Sequence, residues 1–198
     1  MAGGCSLIVL AGGQSRRMGR DKAGLPSGGE TLLGRIITRL TPVVDEVILA
    51  GGPPLSLPSG VRFVADRYRD TGPLAGIHAG LLAAMGDRAM VVACDYPDIG
   101  PEIVPFLEAR AAGVEAVVPR ITGRAQGLCA LYRVGVASHA ERLINAGERR
   151  VNALLEACAV RYLDDVELRG LDPGLRFFRN LNTPADYAEW VRSQPAPR

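Results

Sequence analysis

Apolar positions along the chain follow two rhythms. Short apolar, partly β-branched runs fall at residues 7–10 (reaching back to Cys5), 47–50, 61–64, 90–93 and 114–118. Runs of that length predict strands. Between most of them, helical spacing marks residues 31–40, 74–85 and 102–111. This alternation predicts βαβ units: an α/β fold of three layers, Rossmann-like, with a mainly parallel sheet covered by helices on both faces. The stretch from Gly51-Gly52-Pro53-Pro54 to Pro58-Ser59-Gly60 reads as turns within one domain. Beyond it the pattern is less regular: a strand over 127–132, helices over 137–146 and 151–158, and a short strand over 160–163. Asp172-Pro173-Gly174 marks residues 164–175 as a loop, and 177–181 reads as a final strand. Thr183-Pro184-Ala185-Asp186 then has the form of a helix start: a cap, proline at the first position and an acid in the first turn. The expectation is one domain over 1–192, with halves meeting near residue 112 and a tail over 193–198.

Composition narrows the class without changing it. At 198 residues, 47% hydrophobic and 22% charged, the chain is of ordinary globular make-up. A formal net charge of +2 does not mark a nucleic-acid binder. Cys5, Cys94, Cys129 and Cys158 form no C-x-x-C pair and are expected to be reduced packing residues, with no zinc site. Neither a secretory leader nor a membrane span is expected, so the reading is a soluble, cytoplasmic protein with no membrane partner.

The positive charge is concentrated in Leu10-Ala11-Gly12-Gly13-Gln14-Ser15-Arg16-Arg17-Met18-Gly19-Arg20-Asp21-Lys22. Gly12 and Gly13 directly follow the first strand. Without side chains they let backbone N–H groups approach an anion. Arg16, Arg17, Arg20 and Lys22 add four cations, so the loop reads as a phosphate binder. Neither G-x-x-x-x-G-K-[ST] nor G-x-G-x-x-G fits.

Phosphate transfer from a nucleoside triphosphate needs its charge neutralised, usually by Mg2+ on oxygen ligands. Asp95, ending the 90–94 apolar run in Cys94-Asp95-Tyr96-Pro97, is the metal candidate, because in a parallel sheet it shares an edge with the glycine loop. Asp66 holds the matching place after 61–64. It could accept from the N–H donors of a guanine edge or from the local backbone. Gly72 and Gly76 follow it and would let a ligand approach. Asp21 could be a second acid in the site or a balance to the arginines. His78 and His139 are isolated and read as structural, and no nucleophile–base set is present.

The loop resembles the nucleotidyltransferase pattern L-[AG]-[AG]-G-x-x-x-R-M-G-x-D-K. With Asp66, Gly72-Pro73-Leu74-Ala75-Gly76, Cys94-Asp95-Tyr96-Pro97, Gly147-Glu148-Arg149-Arg150 and Asn180-Leu181-Asn182-Thr183-Pro184, nearly the whole chain is similar to molybdenum cofactor guanylyltransferases. That family joins GMP to molybdopterin and has the nucleotide-diphospho-sugar transferase type of fold.

The resemblance implies that backbone amides of Leu10, Ala11, Gly12 and Gly13 hold the nucleotide and that Lys22 contacts its phosphates. Asp66 would recognise guanine and Asp95 would bind Mg2+. Asn180 and Asn182 would lie on the pterin side, and Arg149 and Arg150 would suit molybdopterin's anionic groups. Arg17 and Lys22 would stabilise charge during direct transfer from GTP, with Asp95 holding the metal and no general base. The nucleotide half would be about 1–112 and the pterin half about 113–192. GTP and molybdopterin are the implied substrates, with proteins that deliver or receive the cofactor as further partners. Two positions depart from the family: Ala50 replaces a frequent asparagine near the base or ribose, and Gly127 a common proline near the pterin. Backbone at Gly51 or Gly52 would then serve the base. The alternatives are a cytidylyltransferase using CTP, a sugar-phosphate nucleotidyltransferase, and a non-catalytic nucleotide-binding maturation factor.

Overall fold

The structure is a computed structural model that describes residues 4–11, 23–52, 57–68 and 71–194. β1 (Cys5–Leu10) is buried along its whole length. A miniature hairpin, β2 (Pro26–Ser27) and β3 (Glu30–Thr31), leads into α1 (Leu32–Leu40). Thr31 caps α1 by accepting the Gly34 N–H at 3.0 Å, and Leu33, Ile36, Ile37 and Leu40 give the helix one apolar face. Then come β4 (Glu46–Ala50), β5 (Val61–Val64), α2 (Pro73–Ala83), β6 (Arg88–Ala93) and α3 (Ile103–Glu108). The second half holds β7 (Ala116–Ile121), β8 (Arg124–Ala125), β9 (Cys129–Arg133), α4 (Ala137–Asn145) and α5 (Val151–Glu156). β10 (Val160–Leu163), α6 (Asp165–Arg169) and α7 (Pro184–Ser193) complete it.

The main sheet runs β10-β7-β9-β6-β1-β4-β5, with β8 paired to β7. β1 pairs in parallel with β4 and β6, β4 with β5, and β7 with β10, while β9 runs antiparallel to both its neighbours. The inversion follows from the β7–β8 turn, where Thr122 and Gly123 take φ of +47° and +80°. A turn that tight returns the chain antiparallel, whereas a parallel return needs a long crossover. Side chains alternate across the sheet. Leu7, Val9 and Leu49 pack with α1, α3 and α6 on one face, and Ile8, Leu10 and Ile48 with α2, α4 and α5 on the other. The expected three layers are therefore present.

Two expectations in the second half need correction. Residues 177–181 form no strand: Arg176–Phe178 is a single 3-10 turn. Asp172 bends the chain there, its carboxylate accepting from Gly174 N at 3.2 Å and Phe177 N at 2.8 Å. Residues 164–175 are not loop throughout, because α6 begins where Asp164 caps Val166 N and Glu167 N at 3.0 and 3.1 Å. The four cysteines are free. Burial pushes the thiols of Cys5 and Cys158 up to about 12 and 11, so they stay neutral.

α2 is buried on all sides from Leu74 to Leu81 and sits hard on β1. A Cβ on Gly80 would come within 2.5 Å of Ile8 Cγ2. Gly80→Ala is therefore expected to cost about 1–3 kcal/mol through overpacking, despite alanine's higher helix propensity. Urea denaturation measures this, and a gain in stability would contradict the close contact.

Candidate functional site

Because β1, β4, β5 and β6 run parallel, Leu10, Ala50, Val64 and Ala93 all end their strands on one edge. The start of β9 joins them, with Cys129 opposite Val92. Gly12, Gly13, Arg17, Asp21 and Lys22 lie outside the described residues. Both flanks of their loop are fixed. Ala11 N donates to Ala50 O at 3.1 Å, and on the far side Ala23 O accepts from Leu33 N at 3.3 Å. Leu10 and Ala11 are buried, and Leu10 faces α2 at Gly76, where a Cβ would meet Leu10 Cδ2 at 3.0 Å.

Asp66 projects into a space that two glycines leave open. A Cβ on Gly51 would lie 3.1 Å from both carboxylate oxygens, and one on Gly76 3.7 Å from Oδ1. Asp66 Oδ1 is buried and has no hydrogen-bond partner among the described residues. Of the two readings of Asp66, capture by the local backbone thus gains no support at Oδ1. Burial raises its pKa, since nothing around it compensates the lost solvation. Ala50 is fully buried in the core under α2. Gly51 N donates to Val64 O at 3.1 Å, so it is committed to the sheet, and the exposed Gly52 is the remaining backbone candidate beside the base.

On the other side of β1, Asp95 follows β6, and its backbone carbonyl accepts from Leu181 N at 3.0 Å. That bond lays residues 180–182 across the sheet edge beside Asp95. Tyr96, only 3% exposed, donates its hydroxyl to Gln126 Oε1 at 3.0 Å and accepts from Asn180 Nδ2 at 3.3 Å. Asn182 enters α7 through a capping box. Asp186 Oδ2 accepts from Asn182 N and Thr183 N at 2.9 and 2.8 Å, while Thr183 Oγ1 accepts from Asp186 N at 3.1 Å. These donors hold the Asp186 carboxyl below its ordinary range. α7 is pinned in turn by Trp190, whose indole N–H donates to Asp98 Oδ1 at 2.9 Å. The structure thus brings Leu10, Ala11, Asp66, Asp95, Asn180 and Asn182 to one edge. It adds Tyr96 and Gln126, which sequence reasoning missed. The signal for Tyr96 was a tyrosine directly after a strand-end acid, since a buried phenol needs a partner.

Other candidates are already engaged. Glu148 accepts from Arg149 N and Arg150 N and binds the Arg150 guanidinium bidentately, at 3.1 and 2.6 Å. The Arg150 guanidinium and these N–H donors hold the Glu148 carboxyl down at about 2. Arg149 is exposed. At Gly127 a Cβ would come within 2.7 Å of Val151 Cγ1, so the missing proline is matched by close packing against α5. His78 is fully buried, edge-on to Tyr68 at 5.4 Å, and burial lowers its pKa. His139 lies with Glu115 and Cys158 in a group spaced like metal ligands. Its Nδ1 accepts from Arg142 Nη2 at 2.6 Å and its Nε2 faces Glu115 Oε1 at 3.1 Å. Because a guanidinium only donates, the Nδ1 lone pair is taken by Arg142 and Nε2 carries the proton, so neither nitrogen offers a free lone pair to a cation.

Among the described residues, this edge brings together two acids, Asp66 and Asp95, and the amide side chain of Asn180. Comparison with known proteins shows the family. A family model described as the MobA-like NTP transferase domain matches residues 7–165. A protein of Pelotomaculum thermopropionicum named "Probable molybdenum cofactor guanylyltransferase" is 39% identical over 181 residues, 90% of this chain and 88% of its own. The molybdenum cofactor guanylyltransferase of Syntrophotalea carbinolica is 32% identical over 193 residues, covering 96% and 92%. Among solved structures, the molybdopterin-guanine dinucleotide biosynthesis protein A of Archaeoglobus fulgidus superposes with a TM-score of 0.83 at 29% identity, covering 94% of this chain and 97% of its own. Matched along nearly its full length in sequence and in fold, the chain belongs to the MobA-like molybdenum cofactor guanylyltransferases.

Proposed function

We propose that this chain transfers GMP from GTP to the terminal phosphate of molybdopterin and releases pyrophosphate. The observation that carries the reading is the convergence on one sheet edge of Leu10 and Ala11, the half-buried carboxylate of Asp66, Asp95, and the strap bearing Asn180 and Asn182. Nucleotide recognition belongs to residues 1–112 and the pterin to 113–192.

A terminal phosphate oxygen of molybdopterin attacks the α-phosphorus of GTP in line. One P–O bond forms, the bond to the β-phosphate bridging oxygen breaks, and pyrophosphate leaves with that oxygen. The attacking phosphate is already anionic near neutral pH, so no side chain need remove a proton. Backbone amides of Leu10 to Gly13 hold the phosphates, and Lys22 and Arg17 stabilise the charge that builds on them. Asp66 accepts from the guanine N–H edge. Asp95 offers the oxygen donor chemistry that Mg2+ takes and would hold it. When bound, that ion neutralises phosphate charge. Among the described residues no helix is long and apolar enough to cross a membrane. A cytoplasmic protein that meets cofactor-delivery and molybdoenzyme-maturation proteins agrees with this.

Thermal unfolding with GTP, CTP, ATP or no nucleotide, each with Mg2+, tests the donor. At about 100 times its dissociation constant a ligand adds roughly 2.7 kcal/mol, a shift on the order of 5–10 °C at this size. GTP alone is expected to produce it. A shift with CTP instead would overturn the product.

Asp66 makes a second expectation. Its raised pKa means that the buried charge costs stability above that pKa, a cost relieved as pH falls through it. Asp66→Asn is therefore expected to leave the free protein at least as stable at neutral pH while abolishing GTP stabilisation. In the parent, GTP affinity should weaken as acidification protonates Asp66. Retained GTP binding in the variant would remove the assignment. For Lys22→Ala a loss of roughly 100- to 1,000-fold in turnover is expected, by analogy with other groups that stabilise transition-state charge. Near-parental turnover would contradict its role.

A further inference from the structure

A hydrogen-bond relay at the sheet edge has its direction fixed at one end. Gln126 Nε2 donates to Arg124 O at 3.0 Å. A carbonyl can only accept, so the amide nitrogen faces Arg124 and Oε1 faces Tyr96. Gln126 Oε1 accepts from the Tyr96 hydroxyl at 3.0 Å. That hydroxyl has a single proton, so toward Asn180 it can only accept, and Asn180 Nδ2 donates to it at 3.3 Å. Reversing Asn180 would set its carbonyl against the Tyr96 oxygen with no proton between them. Reversing Gln126 would set two carbonyls together. Tyr96 is buried, which pushes its phenol far above the ordinary value and keeps the proton in place.

The consequence falls on Asn180 Oδ1. It is buried, and it has no hydrogen-bond partner among the described residues. An acceptor in that state is costly until a donor reaches it. Asn180 is tied to the β6 and β9 ends of the edge through Tyr96 and Gln126, whereas Asp66 lies at the β4 and β5 ends. With the nucleotide at Asp66 as proposed above, the donor belongs to the acceptor substrate.

We propose that Tyr96 and Gln126 are positioning residues that lock the Asn180 amide with its oxygen turned away from Tyr96, as the acceptor for an N–H of a nitrogen heterocycle in the acceptor substrate. The inference rests on the reading of the reaction as guanylyl transfer to molybdopterin, whose pterin carries such N–H groups. The relay makes the site selective for a donor edge, because a group offering only acceptors would leave Asn180 Oδ1 unpaired.

The test compares Tyr96→Phe, Gln126→Leu and Gln126→Glu. Turnover with GTP and molybdopterin is measured, along with equilibrium binding of each substrate by quenching of protein fluorescence. Tyr96→Phe frees the Asn180 amide to turn. It is expected to raise both KM and Kd for molybdopterin about tenfold while KM for GTP and kcat stay within about twofold. Gln126→Leu lets the tyrosine proton swing toward Asn180 and should do the same. Gln126→Glu keeps an acceptor for that proton but loses the donor to Arg124 O, so its molybdopterin Kd should lie between those of the parent and Gln126→Leu. Should Tyr96→Phe fail to fold, the Gln126 pair carries the comparison, since Gln126 is partly exposed in the β8–β9 turn. Unchanged molybdopterin binding in Tyr96→Phe and Gln126→Leu would overturn the inference, as would an equal loss of GTP binding. A parent that binds molybdopterin without turnover would sink the reaction, yet binding by the variants would still decide the relay. A parent that neither binds nor turns over molybdopterin would overturn both.

Discussion

Parallel pairing of β1 with β4 on one side and β6 on the other decides where chemistry can occur in this molecule. The registers place Leu10 beside both Ala50 and Ala93, so three strands end flush and three loops leave from one line. A buried parallel strand must be apolar on both faces, and β1 is buried throughout. Its one side-chain hydroxyl, Ser6, donates to Glu46 Oε1 at 2.7 Å near the opposite edge, where Glu46 also takes Met85 N and the Arg62 guanidinium, each at 2.6 Å. Ser6, Glu46, Met85 and Arg62 thus satisfy one another at that end. At the carboxyl edge, Asp66 Oδ1 and Asn180 Oδ1 are buried and have no hydrogen-bond partner among the described residues.

The path of the chain after β10 lays a strap across the β6 side of that edge. Asp172 and the 3-10 turn at Arg176–Phe178 steer the backbone away from the sheet plane, and one bond from Leu181 N to Asp95 O brings it across the end of β6. The capping box at Thr183 and the Trp190–Asp98 bond then anchor α7, so both sides of the strap are held. A segment fixed in this way presents Asn180 and Asn182 at little further entropic cost. A preorganised site needs that property, since each ordered group otherwise subtracts from binding.

Much of this was legible in the residues. Strands β1, β4, β5, β6 and β10 and helices α1, α2 and α4 follow from apolar periodicity, because sheet and helix each impose one repeat on their buried faces. The Thr183 cap was readable from four residues. Other features were hidden because their causes are tertiary or lie in a single side chain. α6 depends on Asp164 folding back on its own backbone, and the nearby Asp172-Pro173-Gly174 masked it. Residues 177–181 have a strand's composition, but Asp172 bends the chain just before them, and composition alone does not show that. In the site, Asp66 and Asp95 could be placed from their positions after strands. The Tyr96–Gln126–Asn180 relay joins residues 84 and 30 apart in sequence, and no local pattern announces it.

Joining two phosphates at this edge must release pyrophosphate. The most direct measurement supplies the purified protein with GTP, Mg2+ and molybdopterin, and quantifies pyrophosphate and the guanine dinucleotide together. One pyrophosphate is expected for each dinucleotide formed, with neither appearing when any one component is withheld. GTP binding without either product in the complete mixture would contradict it and leave the chain a nucleotide-binding protein without transfer activity.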